Sequence, residues 1–158
     1  MTDLNLGFRK ARAADIPAIV RMLAEDPLGT TREKIGDPLP DAYSKAFACI
    51  EADPNNELIV TELDSEIVGV FQITYVPNLT YQGSWRALIE GVRIRPKARK
   101  QGVGKLMIES AIARARARGC SLVQLTTDKS RPDAKQFYER LGFVASHEGM
   151  KLRIDPAR

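Results

Sequence analysis

The sequence predicts an α/β chain of the α+β type. It would be a mixed, mostly antiparallel sheet of about seven strands with about four helices packed against it. Three observations lead there. Segments of two-residue alternation and segments of helical spacing follow one another in the order β-α-α-β-β-β-α-β-α-β-β. A short polar turn joins two long apolar segments in the first half, as in a hairpin. Finally, "EGVRIRPKARKQGVGKLMIESAIARARARG" begins as an alternating strand and crosses a basic loop. It then continues, after two spaced glycines, as a long helix.

Taken in order, "LGFRKA" (Leu6 to Ala11) reads as the first strand. Asp15 offers an N-cap and Pro17 sits in the first turn of a helix whose apolar face is Ile16, Ile19, Val20 and Leu23. The stretch "EDPLGTTREKIGDPLP" is rich in proline and glycine and reads as an irregular connection. "DAYSKAFACIEAD" is a second helix, with Tyr43, Phe47 and Ile50 at helical spacing. "ELIVTEL", the turn "DSE" and "IVGVFQITYV" form the hairpin. A polar loop through Asn78 and Gln82 leads into the strand "SWRALIEGVRIR", where Gly91 signals a bulge or a close backbone approach.

Gly119 stands where the long helix would be capped. "SLVQLTT" has the apolar character of a buried strand, and "RPDAKQFYERLG" is a helix with Pro132 early and Gly142 at its end. "FVASHE" and "MKLRI" are expected to close the chain as two strands around Gly149. With no repeat and no low-complexity segment, residues 1–158 read as a single domain.

Composition narrows the function. No run approaches the roughly 18 apolar residues of a membrane span, and "MTDLNLGFRKARAAD" lacks the apolar core of a secretory signal. Cys49 and Cys120 are too few for a disulfide framework, so a cytoplasmic protein is expected. One histidine, His147, and no cysteine cluster speak against a metal site. The net charge of +4 is concentrated between Arg93 and Arg118. Such a patch suits a solvated surface, then a phosphorylated cofactor, then a nucleic acid. Nucleic acid ranks last: Arg114, Arg116 and Arg118 fall near a helix C-terminus, where cations are favourable anyway, and no stacking aromatics accompany them.

Gly102 and Gly104 stand at the first turn of the long helix. N–H groups there lack intrahelical partners and the dipole is positive. Missing side chains let an anion approach that backbone, and Arg99, Lys100 and Lys105 add charge around it. A tight turn in which glycine merely avoids a clash is the alternative. A P-loop does not fit, because Leu106 follows Lys105. A dinucleotide fingerprint lacks its third glycine.

"RPKARKQGVGKLM" resembles the acyl-CoA-binding motif R/Q-x-x-G-x-G/A of the GNAT superfamily of N-acetyltransferases, through Arg99, Gly102 and Gly104. "DAKQFYERLGF" resembles that family's later motif through Ala134, Phe137, Tyr138, Gly142 and Phe143. The two blocks come in the family's order and separation. The resemblance implies an acetyl-CoA-dependent transfer to a primary amine of a small molecule or peptide. It assigns cofactor contacts to Val92, Arg93, Ile94, Arg99, Lys100, Gln101, Gly102, Val103, Gly104, Lys105 and Tyr138. Arg131 stands where many members carry asparagine and would face the cofactor's phosphates instead.

Tyr138 is the group expected to stabilise the leaving sulfur, against the alternative of a core aromatic. Glu90, just before the strand segment expected to hold the thioester, is the candidate base, against a salt bridge to Arg86 or Arg93. A fold that binds acyl-CoA without turnover is the competing function. Acetyl-CoA and an amine are the expected partners, no membrane is, and a homodimer is left open.

Overall fold

The computed structural model describes residues 5–154, which fall into two compact units, one ending at Gln124 and one beginning at Leu125. The five strands form one sheet in the order β1-β2-β3-β4-β5. They are β1 Leu6–Lys10, β2 Asn56–Leu63, β3 Glu66–Pro77, β4 Trp85–Ile94 and β5 Cys120–Leu125. The first four pair antiparallel in chain order. Asp64 and Ser65 make the β2–β3 turn with φ of 50° and 67°. Two left-handed residues give that turn the twist its flanking strands need. The helices are α1 Ile16–Ala24, α2 Asp41–Ala52, α3 Thr80–Gly83, α4 Val103–Ala117 and α5 Pro132–Arg140. The helix α4 connects β4 to its neighbour β5, the kind of crossover that parallel strands require.

Alternation sorts the sheet into two faces. Ile59, Phe71, Ile73, Tyr75, Ala87 and Ile89 are buried on one face, and Met107, Ile108, Ala111 and Ala115 of α4 are buried with them. On the other, Val60 and Val70 join Ile16, Ile19, Val20 and Met22 of α1 and Phe47 of α2. Each large side chain so buried contributes about 1.5–3 kcal/mol. Asp15 is at the head of α1 as expected, but its carboxylate does not cap that helix. It accepts instead from Arg9 Nη1 and from the Arg12 N–H, both at 2.7 Å. The Arg9 guanidinium holds this carboxyl below its usual range.

The element count differs from expectation: five strands and five α-helices among the described residues, where about seven and about four were predicted. The additional helix, α3, is one turn inside the expected polar loop, with Tyr81 and Gln82 left-handed at φ 51° and 59°. The strands expected over 143–148 and 150–154 do not form. Val144, Met150, Leu152 and Ile154 are between 82% and 94% exposed, and the segment has no ladder partner among the described residues. Alternation gives a chain the capacity for a strand, but hydrogen bonds to a neighbour make one. No helix among the described residues is long and apolar enough to cross a membrane.

One end of the sheet carries a polar cluster. Glu57 accepts from Tyr75 Oη at 2.9 Å and Arg114 Nη1 at 3.3 Å, and Lys10 Nζ lies 3.2 Å away. The Arg118 guanidinium stacks 4.4 Å from the Tyr75 ring centroid. Burial and the Glu57 carboxylate push the Tyr75 phenol well above its usual range. Burial alone would push Glu57 up, but bonds from Tyr75 and Lys10 and the charge of Arg114 bring it below the ordinary glutamate value. A depressed carboxyl contributes stability above its unfolded pKa and loses it as pH falls through the folded one. Glu57→Gln is therefore expected to destabilise by on the order of 2–3 kcal/mol at pH 7. Thermal melts at stepped pH should show this gap closing below about pH 4; a gap that stays constant from pH 8 to pH 3 would contradict the linkage.

Candidate active site

The decisive local feature is in β4. Thr74 pairs with Leu88, Ile73 with Ile89 and Gln72 with Glu90, but Val70 pairs with Arg93. The register shift is the bulge expected at Gly91, whose φ is 61°. Side chains opposite residues two apart on β3 share a face. The shift therefore puts Arg93, rather than Val92, on the face of Glu90.

Arg93 Nε lies 3.0 Å from Asp26 Oδ2, and Asp26 is 3% exposed. This buried ion pair ties the loop after α1 to β4. Asp26 also organises that loop, its Oδ1 accepting from Leu28 N and its carbonyl from Gly29 N and Thr30 N. Arg93 Nη1 donates to Val92 O at 2.8 Å, and Arg99 Nε to Ile94 O at 3.0 Å.

Beyond Ile94 a short turn, Pro96–Ala98, leads to the start of α4. Gln101 Nε2 donates to Lys97 O at 2.7 Å and closes that turn. Lys100 and Gly102 are left-handed, with φ of 62° and 84°. A Cβ added at Gly102 would meet nothing within 4 Å, so the space in front of the helix is open. No side chain caps α4, and its first bond runs from Leu106 N to Gly102 O. The N–H groups of Val103, Gly104 and Lys105 therefore belong to the unpartnered first turn. Arg99, Lys100 and Lys105 flank that turn along the chain and are exposed side chains near it in sequence, Lys105 lying 3.8 Å from Glu109. Open space, aligned donors and positive charge fit a pyrophosphate.

On the sheet face of Glu90 the neighbours are polar. Gln72, its partner on β3, donates to Asn56 Oδ1 at 2.9 Å. Thr74 Oγ1 lies 3.4 Å from the same oxygen. Glu90 is exposed and forms no ion pair with another described residue, so neither salt bridge considered from the sequence is present. Arg93 faces Asp26, and Arg86 donates to Gln124 Oε1 and Thr80 Oγ1.

Within the second unit Tyr138 is half-buried on α5. Its ring meets Phe137 at 5.1 Å and Phe143 at 5.8 Å, both edge to face. Arg131 occupies the N-cap position of that helix. His147 is exposed, its Nδ1 2.7 Å from Ser146 Oγ. The bulge at Gly91 and the handover from strand to helix at Gly102 stand where the sequence put them. Asp26 was missed: it sits in a proline- and glycine-rich stretch, and nothing local marks that residue as the partner of a distant arginine.

Comparison with known proteins bears on this arrangement. Residues 18–143 match the family model described as the acetyltransferase (GNAT) family. The aminoalkylphosphonate N-acetyltransferase of Salmonella typhimurium is 30% identical over 67% of this chain and 68% of its own. The glucosamine 6-phosphate N-acetyltransferase of Trypanosoma brucei brucei is 37% identical over 85% of this chain and 95% of its own. A crystal structure of a transcriptional regulator from Bacillus halodurans C-125 is 55% identical, with a TM-score of 0.92 over 95% of this chain and 100% of that one. On the family match and the two N-acetyltransferase relatives, this chain belongs to the GNAT family of acetyl-CoA-dependent N-acetyltransferases.

Proposed function

We propose that residues 1–158 act as one N-acetyltransferase domain, cytoplasmic, that acetylates a primary amine of a small molecule or peptide. The observation that carries the reading is the start of α4: an uncapped first turn, a left-handed Gly102 with open space before it, and three cations beside it in sequence. The family match runs across the boundary between the two compact units, which supports treating them as one domain. Both curated relatives are named for small amines that also carry a phosphonate or phosphate, which favours a small molecule over a peptide.

In this reading Arg99, Lys100, Lys105 and the N–H groups of Val103, Gly104 and Lys105 hold the pyrophosphate, with Gln101 shaping the turn. Arg131 adds charge for the phosphates. Backbone groups of Val92 and Ile94 hold the pantetheine arm, and Arg93 fixes that segment through Asp26. Acetyl-CoA supplies an acyl thioester. An alkylamine with a pKa of about 10 is neutral in roughly one molecule per thousand at pH 7, so the site must remove a proton. Glu90, exposed beside Gln72, takes it through water. The Val92 N–H meets the negative charge that develops on the acyl oxygen. Tyr138 donates a hydrogen bond to the leaving sulfur. Full proton transfer from a phenol near pKa 10 to a thiolate near 8.5 is uphill by about 2 kcal/mol, so stabilisation rather than transfer is its role.

An acyl-CoA-binding module without turnover would keep the α4 loop and need neither Glu90 nor Tyr138. A nucleic-acid role for the basic face of α4 is not supported by its contacts. Arg114 bonds Glu57, and Arg118 bonds Asn55 Oδ1 and Pro54 O. Both hold the fold together.

Three outcomes are expected. Gly104→Val should abolish acetyl-CoA binding in a folded protein; calorimetry that finds wild-type affinity removes the anion-loop assignment. Tyr138→Phe should lower kcat tenfold to a thousandfold while acetyl-CoA affinity holds. Wild-type turnover in an assay limited by chemistry would return Tyr138 to packing against Phe137 and Phe143. Glu90→Gln should lower kcat/KM for the amine most at low pH, and an unchanged pH–rate profile would take Glu90 out of the mechanism.

A further inference from the structure

Two uncompensated charges of opposite sign lie on one face of β4. Glu90 forms no ion pair among the described residues, and Arg86, four residues earlier, forms none either. Strand alternation through Leu88 sets both on the same face, opposite Gln72 and Val76 of β3. Arg86 is half-buried, and its guanidinium has only two neutral partners, Gln124 Oε1 at 3.3 Å and Thr80 Oγ1 at 3.4 Å. The other half-buried arginines described in the first unit, Arg9, Arg93, Arg95 and Arg114, each have a carboxylate within 3.3 Å. A half-buried guanidinium held only by neutral partners keeps donors that an anion can use.

A second observation lies beside it. The loop that carries Thr80 holds two consecutive non-glycine residues, Tyr81 and Gln82, in the left-handed region. Such conformations cost on the order of 1–3 kcal/mol each and gather at ligand-binding sites. This one leaves Leu79 97% and Tyr81 80% exposed. Apolar and aromatic surface is thus held out next to the arginine rather than folded into the core.

We propose that the acceptor is a small amine bearing an oxyanion (phosphate, phosphonate or carboxylate), with Arg86 binding the oxyanion and Glu90 facing the amine. This rests on the acetyltransferase reading and adds the chemical class of its acceptor. The Cα positions of residues 86 and 90 are roughly 13 Å apart along the strand. Opposite charges at two places on one face of the strand suit the two ends of one zwitterion. A neutral amine satisfies only one end, and a diamine leaves a cation against the guanidinium.

The test measures CoA release with matched amines: glucosamine 6-phosphate against glucosamine, 2-aminoethylphosphonate against ethanolamine, and γ-aminobutyrate against butylamine. The charged member of at least one pair should win in kcat/KM by about tenfold or more. Arg86→Met should bring that ratio close to one, mainly through the acceptor KM, with acetyl-CoA affinity as a control for folding. Arg86→Lys, which keeps the charge but not the planar fork, should retain part of the preference. Turnover with no preference for the charged member, or a preference that survives Arg86→Met, overturns this inference and leaves the transferase reading standing. CoA release with none of the six amines counts against both.

Discussion

The extra residue in β4 is the constraint on which the candidate site depends. Up to Glu90 the strand keeps step with β3, and its core residues Ala87 and Ile89 are buried. One left-handed glycine then shifts the pairing. Arg93 comes round to the face where Asp26 waits at the end of α1, and the chain leaves the strand toward the turn before α4. A residue with a Cβ at Gly91 would meet no neighbour within 4 Å, so space is not the reason for glycine there. The left-handed backbone is: an ordinary residue in that region costs roughly 1–2 kcal/mol.

The basic segment that dominates the charge of the chain has a division of labour. Arg95 and Lys97 pair with Glu66, and Arg114 and Arg118 brace the polar cluster around Glu57 and Tyr75. These cations support the scaffold. Arg99, Lys100 and Lys105 instead stand in sequence beside a helix start that no side chain caps. A count of basic residues would have given all of them one role. Their partners separate them.

Features coded by a few neighbouring residues were legible in the sequence. The β2–β3 hairpin, the bulge at Gly91 and the strand-to-helix handover at Gly102 each depend on local backbone preferences. What escaped depends on distant partners. Asp15 looked like a helix cap, but Arg9 was close enough to take its carboxylate. The buried Asp26–Arg93 pair leaves no local mark. The left-handed pair at Tyr81 and Gln82 could not be seen, since neither residue type favours that region. The strands expected after Phe143 had the right alternation and found no neighbour among the described residues.

That last feature bears on how the protein would come apart. The unit after Gln124 buries no residue of α5 and leaves Val144, Met150, Leu152 and Ile154 in water. Within the unit itself few apolar side chains are buried, so local opening inside it costs little free energy. Trp85, the sole tryptophan, is in β4 within the other unit. Its fluorescence follows the sheet in which it sits. A cooperative melt seen at Trp85 describes that sheet. The order of the helix that carries Tyr138 has to be read from amide exchange in α5 itself.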